Sequence, residues 1–212
     1  MARSAKNNDI QRPRVRIVKA AAELFYSKGI RGVSLDSIAS RAKTTKMAIY
    51  RHFSSKDDLI VEWLSNLTDE YSRLFDHLAD KHPNDPAAQL SGLAAFVADS
   101  VDTWSHRGCP FVNSIAELPS ANHPARRLIE RHKMRQAARL QALCTSANIP
   151  QPELAAAEIG FLLEGAQIAA QNNGIKDIKQ KLISLIDEIL SRAKSKSKRH
   201  ANGAVRAVAN AS

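Results

Sequence analysis

The sequence predicts an all-α protein of about nine helices. Three observations carry this expectation. Apolar residues recur at steps of three and four along most of the chain. Aromatic residues, which favour strands, make up only 5% of the 212 residues. Gly and Pro number 8 each, so turn punctuation is sparse, and no hairpin signal occurs. Hydrophobic residues at 44% and charged residues at 25% are enough for a buried core. That composition excludes collagen-like, low-complexity and fully disordered classes.

Each element follows from local signals. Residues 1–11 are polar and read as a flexible basic arm. Pro13 suits a first helical turn and Gly29 a helix end, which gives a helix over roughly 12–27 with Val15, Val18, Ala22 and Phe25 inward. Ser34 can cap a helix over 35–42 carrying Leu35, Ile38 and Ala39 on its inner side. After a break at Lys43-Thr44, residues 45–52 form a third, short helix, with Met47, Ile49 and Tyr50 on its inner side. Two short helices joined by a tight turn make a helix-turn-helix unit.

Ser55, with Asp58 three residues later, opens a long amphipathic helix. Its apolar positions run from Leu59 through Trp63, Leu67 and Tyr71 to Leu78, and His82-Pro83 ends it. At 1.5 Å per residue it reaches roughly 35 Å. Further helices follow over 86–105, from Pro110 to about 118, over 124–147, 153–171 and 175–192, separated by Gly and Pro. Residues 194–212 read as a disordered basic tail. The expected organisation is therefore an arm over 1–11, a helix-turn-helix domain over 12–55, a helical body over 56–193 and a tail over 194–212.

Charge is distributed unevenly. The net charge is +10. Residues 1–56 alone carry 13 basic and 3 acidic side chains, residues 57–191 carry 12 and 18, and residues 192–212 carry 6 and none. A basic head, an acidic body and a basic tail point to a polyanion-binding module joined to one that is not. Cys109 and Cys144 are too few for a disulfide framework. No apolar run of about 18 residues predicts a membrane span, and the N-terminal residues carry no apolar stretch of signal-peptide type. The expected compartment is the cytoplasm. The seven histidines show no ligand spacing, so no metal is expected. No catalytic constellation and no cofactor motif appears, and no enzyme is expected.

The run Gly32-Val33-Ser34-Leu35-Asp36-Ser37-Ile38-Ala39, followed by Ile49-Tyr50-Arg51-His52-Phe53 and Ser55-Lys56-Asp57-Asp58-Leu59, resembles the N-terminal domain of the TetR/AcrR family of transcriptional regulators. The resemblance covers about residues 12–60 by motif. Two positions depart from it. Lys43 stands where the family usually has glycine, and Thr44 where it usually has an apolar residue. A non-glycine residue at positive φ costs about 1 kcal/mol.

Physical chemistry assigns roles beside the resemblance. A recognition helix lays its first residues against base edges in the major groove. Those residues are Thr44, Thr45, Lys46 and Ala48. Lys46 can donate to guanine or to a phosphate, and Ala48 can meet a thymine methyl. Tyr50, His52 and Lys56 are candidate phosphate contacts, Ser34 is both cap and phosphate neighbour, and Arg51 is a base or a phosphate contact. For Tyr50 packing is the competing role. The arm residues Arg3, Lys6, Arg12, Arg14 and Arg16 can reach a groove or a phosphate, or remain solvated.

In the body, small residues on 153–171 and a broad apolar stripe on 175–190 suggest a helix interface. The candidate dimerisation residues are Gly160, Ala166, Ala169, Ile178, Leu182, Leu185 and Ile189. The resemblance implies a homodimer built from these two helices of each subunit, an unknown small-molecule effector and a near-palindromic operator. Candidate ligand residues are Trp63, Phe96, Trp104, Phe111, Asn113, Glu117, Phe161, Glu164 and Gln167. Cys109, before Pro110 at a helix start, is a candidate redox sensor. The reading is a ligand-responsive repressor. The alternatives are a non-specific architectural DNA-binding protein and a helical small-molecule-binding protein or enzyme without a DNA role.

Overall fold

The computed structural model describes residues 12–103, 107–118 and 120–209, with side chains placed except at 102–103 and 194–209. Every regular element among the described residues is helical. The helices are α1 (Pro13–Lys28), α2 (Leu35–Arg41), α3 (Lys46–Tyr50), α4 (Lys56–Lys81), α5 (Pro86–Thr103), α6 (Pro110–Glu117), α7 (Pro124–Ser146), α8 (Pro152–Asn172) and α9 (Ile178–Ala209). Trp104 and the arm residues Arg3 and Lys6 lie outside the described residues.

The chain packs as two compact units. The first contains residues up to Glu70 and Pro110–Arg131; the second contains Tyr71–Cys109 and the residues from His132 onward. The division does not fall at residue 55. The first half of α4, all of α6 and the start of α7 belong with the helix-turn-helix.

In the first unit, Ile17, Ala20, Ala21 and Phe25 of α1 are buried with Ile38 and Ala39 of α2, Ile49 of α3, and Leu59, Ile60, Trp63 and Leu64 of α4. The inner face of α1 is thus rotated from the expected one: Ile17 is fully buried while Val15 is 48% exposed. On a short helix of ambiguous pattern, neighbours on α4 decide which stripe turns inward. Trp63 meets Phe25 with ring centroids 5.5 Å apart. Ser55 Oγ accepts the Asp58 N–H at 3.1 Å, so the expected cap of α4 is present.

In the second unit, α5, α8 and α9 pack on one another. Leu90, Leu93 and Val97 of α5, Ile159 and Leu163 of α8, and Leu182, Ile186 and Ile189 of α9 share one core with Leu140 and Cys144 of α7. The last helix differs from its expected span. It starts at Ile178 and continues through the expected tail to Ala209. The alanines and straight-chain lysines of that segment are strong helix formers, so a preceding, well-packed helix propagates through them.

Candidate nucleic-acid interface

The α2–turn–α3 segment is held by its own polar groups. Ser34 Oγ accepts the Ser37 N–H at 3.1 Å, and Ser37 Oγ in turn accepts the Ser34 N–H at 3.2 Å. This is a capping box with serine in place of the usual Glu or Gln. Ala42 and Thr44 close the turn, their N–H groups donating to Ile38 O at 2.8 Å and Ala39 O at 2.9 Å. Lys43 takes φ 51°, the left-handed conformation that favours glycine. Thr45 caps α3, its Oγ1 accepting the Ala48 N–H at 3.1 Å. Both cap hydroxyls act as acceptors, which leaves each O–H proton able to donate outward.

These caps fix which side of α3 faces out. Ile49 is fully buried and anchors the helix on the core. Lys46 and Arg51 are exposed, Thr44 and Ala48 are half-buried, and His52 is exposed just beyond the helix. Met47 and Tyr50, expected inward, are 68% and 46% exposed. A five-residue helix can bury only one narrow stripe, and Ile49 occupies it. Tyr50 is therefore available for contact rather than packing. Met47 is an outward residue that sequence reasoning missed, because an apolar side chain beside Ile49 reads as core.

Several charges of the head are already paired. Arg41 donates to Glu23 at 2.8 and 2.6 Å, and Lys46 Nζ lies 3.1 Å from Asp36 Oδ2. Arg14, a candidate arm contact, is turned back onto the unit by Glu62 at 2.8 Å and the Phe53 ring at 5.2 Å. Lys56, an expected phosphate contact, has a partner within the unit. Its ammonium donates to Ile30 O at 2.5 Å. Burial lowers its pKa from the ordinary value, with Asp57 and Glu117 acting in the opposite direction. The side chain ties α4 to the loop before α2, while Ser34, Thr44, Thr45, Lys46, Met47, Ala48, Tyr50, Arg51 and His52 are exposed or half-buried.

The candidate ligand residues fall in both units. Trp63, 5% exposed, packs in the core of the first unit against Phe25. Phe111 is 1% exposed in that same unit. Asn113 is half-buried on α6. Glu117 is used structurally: its carboxylate accepts the Arg31 N–H at 2.8 Å. In the second unit Phe161, expected to line a cavity, is 76% exposed, because the outer stripe of α8 faces away from the protomer's own core. Phe96 is 44% exposed and meets the Tyr71 ring edge-on at 6.2 Å. Tyr71 also meets His132 at 5.5 Å. Glu164 pairs with Lys133, and the Gln167 amide donates to Leu163 O at 3.2 Å. Tyr71 and His132 were not legible as site residues, since both occupy apolar-stripe positions.

The candidate interface residues also divide. Leu182, Ile189 and Ala166 are 3%, 3% and 8% exposed within the protomer's own core, so they are not free for a partner. Ile178 packs against the same core. Leu185 is exposed; Gly160 and Ala169 are half-buried. Outward on α8 stand Leu154, Phe161 and Ile168, at intervals of seven residues. A Cβ added at Gly160 or Gly165 would meet nothing within 4 Å.

Cys109 and Cys144 are free and buried, and burial pushes the Cys144 thiol up to about 11. Cys109, 3% exposed, lacks the solvent access a reactive thiolate needs. Among the described residues no group of three or more His, Cys, Asp or Glu side chains could hold a metal ion, and no helix is long and apolar enough to cross a membrane.

Residues 17–63, from α1 into α4, match the family described as bacterial regulatory proteins, tetR family. The chain is 32% identical over 130 residues to the HTH-type transcriptional regulator AcrR of Shigella flexneri, covering 57% of this chain and 60% of that protein. It is 26% identical over 134 residues to the HTH-type transcriptional regulator TtgR of Pseudomonas putida, covering 59% and 63%. The chain thus spans about three fifths of the length of these relatives. Among solved structures it is similar to SCO4454, a TetR-family transcriptional regulator from Streptomyces coelicolor, with TM-score 0.80 and 25% identity over 85% of this chain and 95% of that one. A TetR transcriptional regulator from Legionella pneumophila shares the fold, with TM-score 0.74 at 18% identity over 85% and 98%.

Proposed function

The chain belongs to the TetR/AcrR family of transcriptional regulators, and from that premise we propose that it is a ligand-responsive repressor that binds a near-palindromic operator as a homodimer. The observation that carries this reading is the outward face of α3. Lys46, Met47, Tyr50 and Arg51 are exposed on a helix whose opposite side is anchored by Ile49. That face belongs to a segment with a net charge of +10 over residues 1–56. Capped, short and basic, it has the dimensions and chemistry of a major-groove reader.

Dimerisation is supported by the exposed Leu154, Phe161 and Ile168 on α8 and by Leu185 on α9. Large apolar side chains repeating every seven residues form a seam suited to a second helix. Gly160 and Gly165 answer no steric demand inside the protomer, which leaves room for a helix to approach closely. A two-fold dimer would read half-sites about 34–36 Å apart. An effector in the second unit, near Tyr71, Phe96 and His132, would favour a spacing of the two heads that no longer fits.

The test is fluorescence anisotropy on a duplex recovered from a random library. Lys46→Ala and Tyr50→Phe should each weaken binding several-fold without moving the thermal midpoint. Unchanged affinity in both rejects the assignment. A non-specific architectural role is favoured by one feature, the basic residues of 194–199 on the continuation of α9. It predicts a ratio near one between selected and random duplex, with a steep salt dependence.

A further inference from the structure

Two exposed side chains of the α2–α3 segment, Asp36 and Lys46, carry opposite charges. Asp36 stands in the first turn of α2 and Lys46 opens α3. Lys46 Nζ and Asp36 Oδ2 are 3.1 Å apart, with the two side chains 47% and 70% exposed. An ion pair this exposed adds little to stability. Nor does a carboxylate suit a surface meant only for phosphates, which it repels. The pair fits a base edge better than it fits a backbone.

The major-groove edge of a guanine–cytosine pair presents an acceptor, guanine O6, beside a donor, cytosine N4–H. Those two atoms share a Watson–Crick hydrogen bond, so they lie about 2.9 Å apart. An ammonium and a carboxylate at 3.1 Å present the complementary donor and acceptor at matching separation. Guanine N7 offers the ammonium a second acceptor. A thymine–adenine pair offers O4 and N6 in the same order, but sets the thymine methyl beside the ammonium and the adenine N7 acceptor beside the carboxylate. Both are mismatches.

We propose that Asp36 and Lys46 act together as one reader of a guanine–cytosine pair in each operator half-site, Lys46 donating to guanine and Asp36 accepting from cytosine N4. This assignment rests on the DNA-reading function proposed above. It makes Asp36 a specificity residue, and it gives Lys46 a base rather than a phosphate.

The test uses the full chain and selection from a random duplex library, followed by affinity measurement on the selected site and on its single-position variants. Wild type, Asp36→Ala, Lys46→Gln and the double variant are compared, with thermal melts as a folding control. The expected result is a position in each half-site where wild type prefers guanine–cytosine by about tenfold or more. That preference falls to near parity in both single variants, other positions are unchanged, and the double variant loses no more at that position than either single one. A preference left intact in Asp36→Ala, with tighter binding to every duplex alike, makes the carboxylate a general brake and overturns the proposal. A uniform loss in Lys46→Gln with a salt slope smaller by about one makes Lys46 a phosphate contact and overturns it too. In either case sequence-selective binding by wild type leaves the DNA-reading function standing. Wild type that selects no sequence at all removes both.

Discussion

Arg31 and Glu117 are joined twice. The Arg31 backbone N–H donates to the Glu117 carboxylate at 2.8 Å, and Arg31 Nε donates to the Glu117 carbonyl at 2.9 Å. The link fastens the end of α6 to the turn between α1 and α2, across 86 residues of sequence. Gly29 makes room for it. A Cβ there would stand 2.4 Å from Glu117 Oε1.

Gly29→Ala should therefore destabilise the first unit by about 1–3 kcal/mol, because its φ of 78° and ψ of 163° lie in a region nearly confined to glycine. Glu117→Ala should cost about 0.5–1.5 kcal/mol by removing the carboxylate that accepts the Arg31 N–H. The double variant should lose less than the sum, since removing the carboxylate removes the clash. Urea denaturation of the four proteins checks this; strict additivity would mean that Gly29 and Glu117 do not meet.

Lys43→Gly should stabilise the protein. Lys43 holds φ 51° in the α2–α3 turn, where a side chain costs about 1 kcal/mol. The expected rise in stability is about 0.5–1 kcal/mol, read as a higher thermal midpoint. A lower midpoint would show that the lysine side chain is itself a stabilising contact.

Phe161→Glu should separate the proposed dimer. The side chain is 76% exposed in the protomer, so the charge costs the monomer little, whereas a seam of apolar residues would bury it unpaired. Sedimentation velocity should show a monomer with unchanged helicity by circular dichroism. A dimer of unaltered affinity would place the interface elsewhere.

His132 should make stability depend on acidity. Burial first, then the charges of Lys133 and Arg135, lower its pKa from 6.5 to about 4. The unfolded chain therefore takes up a proton below pH 6.5 that the folded chain refuses until about pH 4. The neutral ring's contribution is complete above pH 6.5 and is lost as the pH falls through that window. Chemical denaturation between about pH 7 and pH 4 should show a shallower fall for His132→Gln than for wild type. Parallel curves would assign the acid sensitivity to the carboxylates alone.

The local signals in this chain were strong. Ser34 and Ser55 cap the helices that their spacing announced, and Pro13, Gly29, Pro86, Pro110 and Pro152 stand where helices begin or end. The position of α3 was legible for the same reason, since caps and breakers act within a few residues. Faces were less legible. Val15 against Ile17, and Met47 and Tyr50 against Ile49, differ by one or two positions on a short helix, which is within the width of one apolar stripe.

The sequence by itself determined an all-helical chain, a basic helix-turn-helix near its start and the capping chemistry that holds the turn, because each depends on residues a few positions apart. Only the tertiary structure decided that Trp63 belongs to the core of the first unit, that Lys56 is drawn onto Ile30 O and that Glu117 accepts the Arg31 N–H. It also decided that Leu182 and Ile189 face inward while Phe161 faces out. Those outcomes turn on partners 26 to 86 residues away or on which neighbouring helix covers a face. Periodicity records that a stripe is apolar; what it packs against is set by the approach of other elements.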